Sequence, residues 1–291
     1  MELFVISLIL ISAIMHVTYN YVLKKTINSG GDSVLVFWLS IINGVLIYSV
    51  ILFLFIGIKN ITIYGIVYSA IFGFFAAIYI LFLSKAYEYD DFSIVYPLSR
   101  ITPLFALLLG IFILKEKLTV VGFIGVILIT LGAYGVYLDN FQLKNILKPI
   151  LFLRKRGPIF AFLAAFISAI YGLYSKLGVD AIGPFAFIFF GYVFLILFYS
   201  PLLYFKKTGI IEQIKKFKIQ IIQIGILDLS GYFLIAVALS LSKLSYIFAL
   251  RQMGLLFGVL AGIYFLKEKY TNPKIIFSLI MIIGLILVSI S

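Results

Sequence analysis

The chain has 291 residues, of which 64% are hydrophobic and 12% charged, with a mean hydropathy of +1.21. Soluble domains carry about 25% charged residues, so this composition excludes a water-soluble fold and makes the bilayer the solvent. The net charge of +12 then belongs to loops at a membrane surface and is not a nucleic-acid signal, and the absence of cysteine excludes disulfides, iron–sulfur clusters and thiolate zinc sites.

A spanning helix needs about 20 apolar residues, and the polar punctuation yields ten such stretches. The first, 3–22, follows Met-Glu-Leu-Phe, which has no basic leader and no small-residue cleavage site, so it is expected to be a retained helix. It places Ser12, His16 and Tyr19/Asn20 on one face, at the i, i+4 and i+7/8 spacing of a helical stripe. Spans 33–57 and 62–84 follow, then 92–114, which reads Tyr96-Pro97-Leu-Ser99-Arg100-Ile-Thr102-Pro103. Each proline removes one i to i−4 hydrogen bond, freeing the carbonyls of Ser93 and Ser99 on either side of Arg100. Span 119–138 closes the first half. Residues 140–157, with Lys144, Lys148, Arg154, Lys155 and Arg156, form a basic linker between a first repeat, 1–139, and a second, 158–291. The second half predicts spans at 158–178, 184–205, 218–241, 244–266 and 273–290, several of them entered at a proline where a missing N–H costs little.

The halves are copies. Leu104–Thr119 reads LFALLLGIFILKEKLT and Leu256–Thr271 reads LFGVLAGIYFLKEKYT, an offset of 152 that also pairs Tyr19 with Tyr171, Gly73 with Gly225, Ser93 with Ser245 and Gly132 with Gly284. Five spans per half is an odd number, so the second copy must enter from the opposite side of the membrane. The expected fold is therefore all-α and membrane-integral, with ten transmembrane helices as two inverted five-helix repeats. Inverted repeats build alternating-access carriers whose site lies near the midplane where the halves meet. Loop lysines and arginines divide sixteen to five between the two faces, which places the richer face in the cytoplasm and both termini outside.

Ionisable residues deep in the spans are few: His16, Arg100, Asp228 and Arg251. Charge at the bilayer centre costs several kcal/mol, so such residues face a cavity or a partner. At about 1.5 Å per residue, Arg100 lies about 12 Å and Asp228 about 15 Å from the basic face, which makes Arg100 the better geometric partner and Arg251 the second. Such a pair would serve equally as a structural lock or as a site. His16 matches Ser168 in the other half, Arg100 matches Gln252 and Asp228 matches Ala76. A site for an asymmetric solute breaks the internal symmetry in this way, whereas Lys-Glu-Lys, present in both halves, suits framework. Small residues at Gly254, Gly258 and Gly262, and at Thr102, Ala106 and Gly110, suit close helix packing. The candidate substrate-binding set is Ser12, His16, Asn20, Tyr96, Arg100, Tyr171, Asp228, Tyr232, Arg251 and Gln252, with Asp228 or His16 as the proton-coupling group. One histidine without a ligand set predicts no metal, and no GxxxxGK[ST] pattern is present. No cofactor and no catalytic residue are expected.

With these residues in view, the chain resembles the EamA-type transporters of the drug/metabolite transporter superfamily. The resemblance rests on ten helices in two halves and on the polar first-helix run His16-Val-Thr-Tyr-Asn20 with Lys24. It rests also on Gly110-Ile-Phe-Ile-Leu-Lys-Glu116-Lys and its repeat Gly262-Ile-Tyr-Phe-Leu-Lys-Glu268-Lys. The resemblance implies a multi-pass protein of the cell membrane that exports amino acids or other metabolites through a central cavity. Its partners would be a small solute, the lipid bilayer and, as candidate coupling ion, the proton, and it would act as a monomer or homodimer. Two other readings compete. One is a carrier or flippase for phosphorylated or lipid-linked sugars, and the other a membrane subunit with no transport role. An enzyme on lipid-linked substrates would want clustered acids, and Glu88, Asp90 and Asp91 have no metal-spaced partner.

Overall fold

The structure is a computed structural model, and it describes residues 3–51, 61–90, 92–136, 138, 142, 147, 150–151, 153–205, 209–257 and 272–291. Its helices are α1 (Leu3–Asn28), α2 (Ser33–Ile51), α3 (Ile63–Tyr89), α4 (Phe92–Ser99), α5 (Thr102–Phe112) and α6 (Val120–Gly135). They continue with α7 (Arg156–Tyr199), a 3₁₀ turn (Ser200–Phe205), α8 (Ile210–Leu241), α9 (Leu244–Leu250) and α10 (Asn272–Ser289). No strand occurs among the described residues. Among the described residues six helices are long and apolar enough to cross a membrane: α1, α2, α3, α7, α8 and α10. They expose many large apolar side chains, Ile283 on α10 and Val67 on α3 among them, as lipid-facing surface requires.

Short polar signals set the helix ends. Gly30, at φ 93°, ends α1, and the Gly31 amide bonds back to the Thr26 carbonyl at 3.0 Å. Asp32 Oδ1 then caps α2 by accepting from the amides of Val34 and Leu35 at 2.9 and 3.0 Å. Thr62 and Thr119 cap α3 and α6 by accepting from Gly65 and Gly122. Within α7 the chain turns at Gly183 (φ 76°, ψ 161°), a conformation open to glycine, and Pro184 starts the next helical stretch. This break falls between the expected spans 158–178 and 184–205. The fourth span breaks as its prolines dictate. α4 ends at Ser99, α5 begins at Thr102, and the Thr102 hydroxyl donates to the freed Ser99 carbonyl at 3.3 Å. α8 starts at Ile210, eight residues before the expected 218, because 210–217 is an amphipathic helical stretch that the hydropathy of a spanning segment does not include.

The chain divides into two compact units, and each draws on both sequence halves. One holds 1–7, 78–173 and 242–291, and the other 8–77 and 174–241. In the first unit α6 packs along α10. A Cβ on Gly132 would stand 2.8 Å from the Phe277 carbonyl oxygen and 3.0 Å from the Met281 nitrogen. One on Gly284 would stand 2.7 Å from the Gly125 oxygen and 2.9 Å from the Ile129 nitrogen. Adding 152 to 125, 129 and 132 gives 277, 281 and 284, so each helix makes on the other the contact it receives. The two run antiparallel, with Gly122 beside Ser291, Gly125 beside Val288 and Gly135 beside Phe277.

In the second unit α2 packs along α8. Asp32 N donates to Gln213 Oε1 at 3.2 Å, and Gly44 lies on Gly225. Further on, the rings of Tyr48 and Phe233 lie 5.9 Å apart, so the two helices run parallel. α3 likewise runs parallel to the second stretch of α7, with Gly65 against Ile182 at the turn before that stretch and Gly73 against Phe194 and Leu195 within it. Apolar solvent gives helices no hydrophobic reason to associate, so close packing over glycine supplies the contact. The apolar core here is Val36, Leu39, Phe217, Ile221 and Ile224.

Candidate functional site

The Lys-Glu-Lys run of the first half is framework in structural terms. α5 gives way to Lys115 in the left-handed region (φ 55°), and the Glu116 amide returns to the Gly110 carbonyl at 2.9 Å. The Glu116 carboxylate then accepts from the Leu244 amide at 2.5 Å, the Ser245 amide at 3.2 Å and the Ser245 hydroxyl at 2.5 Å. It thereby caps α9 with a full negative charge. A side chain at Gly110 would collide with this carboxylate. Lys243 Nζ adds a bond to the Lys117 carbonyl at 2.6 Å. The second Lys-Glu-Lys, 267–269, and Gly258 and Gly262 lie outside the described residues.

Among the described residues two further polar clusters stand out, one in each unit. In the unit of α5, α6 and α10, Arg100 and Arg251 both sit at helix breaks. Arg100 lies between α4 and α5, and Arg251 follows α9 in a turn where the Gln252 amide bonds to the Ala249 carbonyl at 3.0 Å. Under the 152 offset Arg100 corresponds to Gln252, so the two breaks occupy the same place in the two repeats. The Arg251 guanidinium stands 5.1 Å from the Phe248 ring centroid, within cation–π range. Phe248 stands 6.4 Å from Tyr171, and Tyr171 5.5 Å from Tyr79. The Tyr79 hydroxyl lies in the field of both Arg100 and Arg251. Tyr171 and Gln252 are buried. This cluster offers guanidinium and phenol donors, the groups that recognise a carboxylate, phosphate or sulfonate.

In the unit of α2 and α8 the cluster is built around an acid. Tyr192 on α7 donates to Asp228 Oδ2 at 3.2 Å. One turn on from Asp228, Tyr232 shares a 2.8 Å hydrogen bond with the buried Ser175. Phe72 on α3 fills the space beside both phenols, 6.4 Å from Tyr192 and 5.4 Å from Tyr232. Tyr19 on α1 is within electrostatic reach of Tyr192, and His16 packs edge-on against Tyr19 at 4.9 Å. Ser12 is buried and donates to the Gly231 carbonyl at 2.7 Å, while the exposed Asn20 turns its amide back to the His16 carbonyl at 2.7 Å. Lys176 is an anchor, holding Asp180 at 2.9 Å and the Leu239 carbonyl at 2.8 Å.

Of the expected site residues, the structure thus gathers Arg100, Tyr171, Arg251 and Gln252 in one unit, and Ser12, His16, Asn20, Asp228 and Tyr232 in the other. The anticipated Arg100–Asp228 pair joins residues of different units. Tyr96 lies in α4, and its side chain is outside the described residues. Tyr79 and Tyr192 were not anticipated. Both break the internal symmetry, matching Gly231 and Ser40, but so does every tyrosine other than the Tyr19/Tyr171 pair, so no signal in the sequence separates them from the rest.

Comparison with known proteins adds two findings. The sequence model of a family described as the EamA-like transporter family matches the chain twice, over residues 3–138 and 155–290. A solved structure described only as the crystal structure of a protein is 12% identical and shares the fold, with a TM-score of 0.74 over 98% of this chain and 96% of that one. No curated protein matches.

Proposed function

Because the chain belongs to the EamA-like transporter family, we propose that it is a secondary-active carrier exporting amino acids or related small metabolites by alternating access. At the coarser level it is a multi-pass protein of the cell membrane and a transporter of small solutes. The finer reading has ten spans in two inverted repeats, 1–139 and 158–291, joined by the basic linker 140–157, in a monomer or homodimer with no catalytic chemistry. The observation that carries it is the reciprocal contact of α6 and α10. Matching helices that exchange contacts while running antiparallel are what an inverted repeat produces, and inverted repeats underlie alternating access. The parallel courses of α2 with α8 and of α3 with the second stretch of α7 agree with it.

In this reading Arg100 and Arg251, with Tyr171 and Gln252, hold the anionic end of the solute. Asp228 carries the coupling proton, with His16 as the other titratable group, and Ser12, Asn20, Tyr96 and Tyr232 complete the substrate contacts. The test is counterflow in proteoliposomes with pooled labelled amino acids and, separately, phosphorylated metabolites, with and without a pH gradient. Saturable amino-acid counterflow stimulated by the gradient is the expected result. Counterflow of the phosphorylated pool alone replaces the substrate class, and no counterflow of any pool by folded protein overturns the carrier reading.

A further inference from the structure

A second recognition surface lies at the start of α8, away from Asp228. The stretch from Ile210 is bent off the rest of α8 at Phe217 (φ −123°, ψ 24°). Its inward side is fixed: Gln213, 4% exposed, accepts from the Asp32 amide, and Phe217, 3% exposed, joins the core with Val36 and Leu39. The next sector of the same helical turns carries Ile210, Ile211 and Ile214, exposed by 43, 70 and 40%. The remaining sector carries Lys215, Lys216 and Glu212, and Lys218 follows the bend; all four are exposed. Lys216 reaches across to the turn after α1, where its Nζ would lie 3.3 Å from a Cβ on Gly30, and Lys24 and Lys25 are exposed on the last turns of α1.

We infer that this corner is a binding surface for anionic lipid headgroups. A helix with an apolar edge and lysines beside it lies in the membrane interface, and each such lysine near an anionic leaflet favours binding by about fivefold. A soluble anion would have no use for three exposed isoleucines directly before a spanning segment. The fold itself does not ask for the lysines either. The repeat-related start of α3, 61–66, reads Ile-Thr-Ile-Tyr-Gly-Ile and is capped by Thr62 alone. The surface also sits on the face that loop charge assigns to the cytoplasm, where anionic lipids concentrate.

The protein carries its own reporter. Trp38 is the sole tryptophan, and it packs against the cluster that contains Phe217. The full chain is reconstituted in bilayers containing brominated phosphatidylglycerol or brominated phosphatidylcholine, and quenching of Trp38 gives their relative binding. Wild type is expected to prefer the anionic lipid by about fivefold or more. The triple variant K215Q/K216Q/K218Q should fall to about equal binding. K215R/K216R/K218R should retain the preference, which separates charge from folding, and K176Q on α7, whose side chain bonds Leu239 at the far end of α8, should leave it unchanged. A wild-type ratio of one, or a preference that survives the triple glutamine variant, overturns the proposal. So does a preference erased by millimolar inorganic phosphate at constant ionic strength, since that result assigns the lysines to a free anion. None of these outcomes depends on transport.

Discussion

In the unit of α5, α6 and α10 the polar centre is two guanidiniums with two phenols, whereas in the unit of α2 and α8 it is a carboxylate and an imidazole with phenols and hydroxyls. The guanidiniums of the first set can only donate, and they keep their charge at any physiological pH. The second contains the groups that exchange protons. In the proposed carrier, this difference would separate two tasks, holding a solute and responding to a gradient, and give each to its own set of helices.

Removing the carboxylate tests that division most severely. Asp228→Asn should lower pH-gradient-driven uptake at least about tenfold while leaving counterflow at zero gradient near wild type, as expected for loss of an intramembrane proton relay. Gradient-driven uptake that survives would end the assignment of coupling to this unit. Arg251→Gln should act the other way. Loss of a charged hydrogen bond of about 1.5–3 kcal/mol raises the half-saturation concentration of an anionic solute by about tenfold or more, with the pH dependence retained. An unchanged half-saturation would leave Arg251 a purely structural residue. Gly225→Leu and Gly284→Leu strike the helix crossings of the two units separately. Each should cost about 1–3 kcal/mol by overpacking, read as a lowered thermal midpoint, because both would drive a side chain into backbone. The smallest effect is expected from Tyr192→Phe, which removes one donor from Asp228. Its net worth of about 0.5–1.5 kcal/mol should slow proton-driven uptake a few-fold and leave solute affinity alone. A shift in affinity instead would mean that Tyr192 touches the solute.

The sequence made some of this legible for identifiable reasons. Pro97 and Pro103 announce the break at Arg100, because a missing N–H is written in the residue type. The matching break at Arg251–Gln252 carries no proline, Ala249 and Leu255 standing in those places, so a hydropathy reading makes one continuous span of it. Glu116 could be assigned to framework from its repetition, but its partners, Leu244 and Ser245, lie 128 and 129 residues away, a distance that no local pattern encodes. Tyr79 and Tyr192 are hidden among 20 tyrosines, and only their neighbours in space set them apart. The early start of α8 is obscured because its lysines interrupt the apolar run while preserving the helical period.

The reciprocal fit of α6 and α10 has a consequence for how such a chain can diverge. Were the half-chain to assemble with an identical copy of itself, every substitution would be made at two places at once, and a buried charge costing several kcal/mol would count twice. Joined in one chain, the halves can be altered one at a time. Arginine can stand at position 100 with glutamine at 252, and aspartate at 228 with alanine at 76, each at half the penalty a symmetric pair would incur. The glycines at 132 and 284 have no such freedom, since each accommodates the other half's backbone, and they mark where the two copies must go on agreeing.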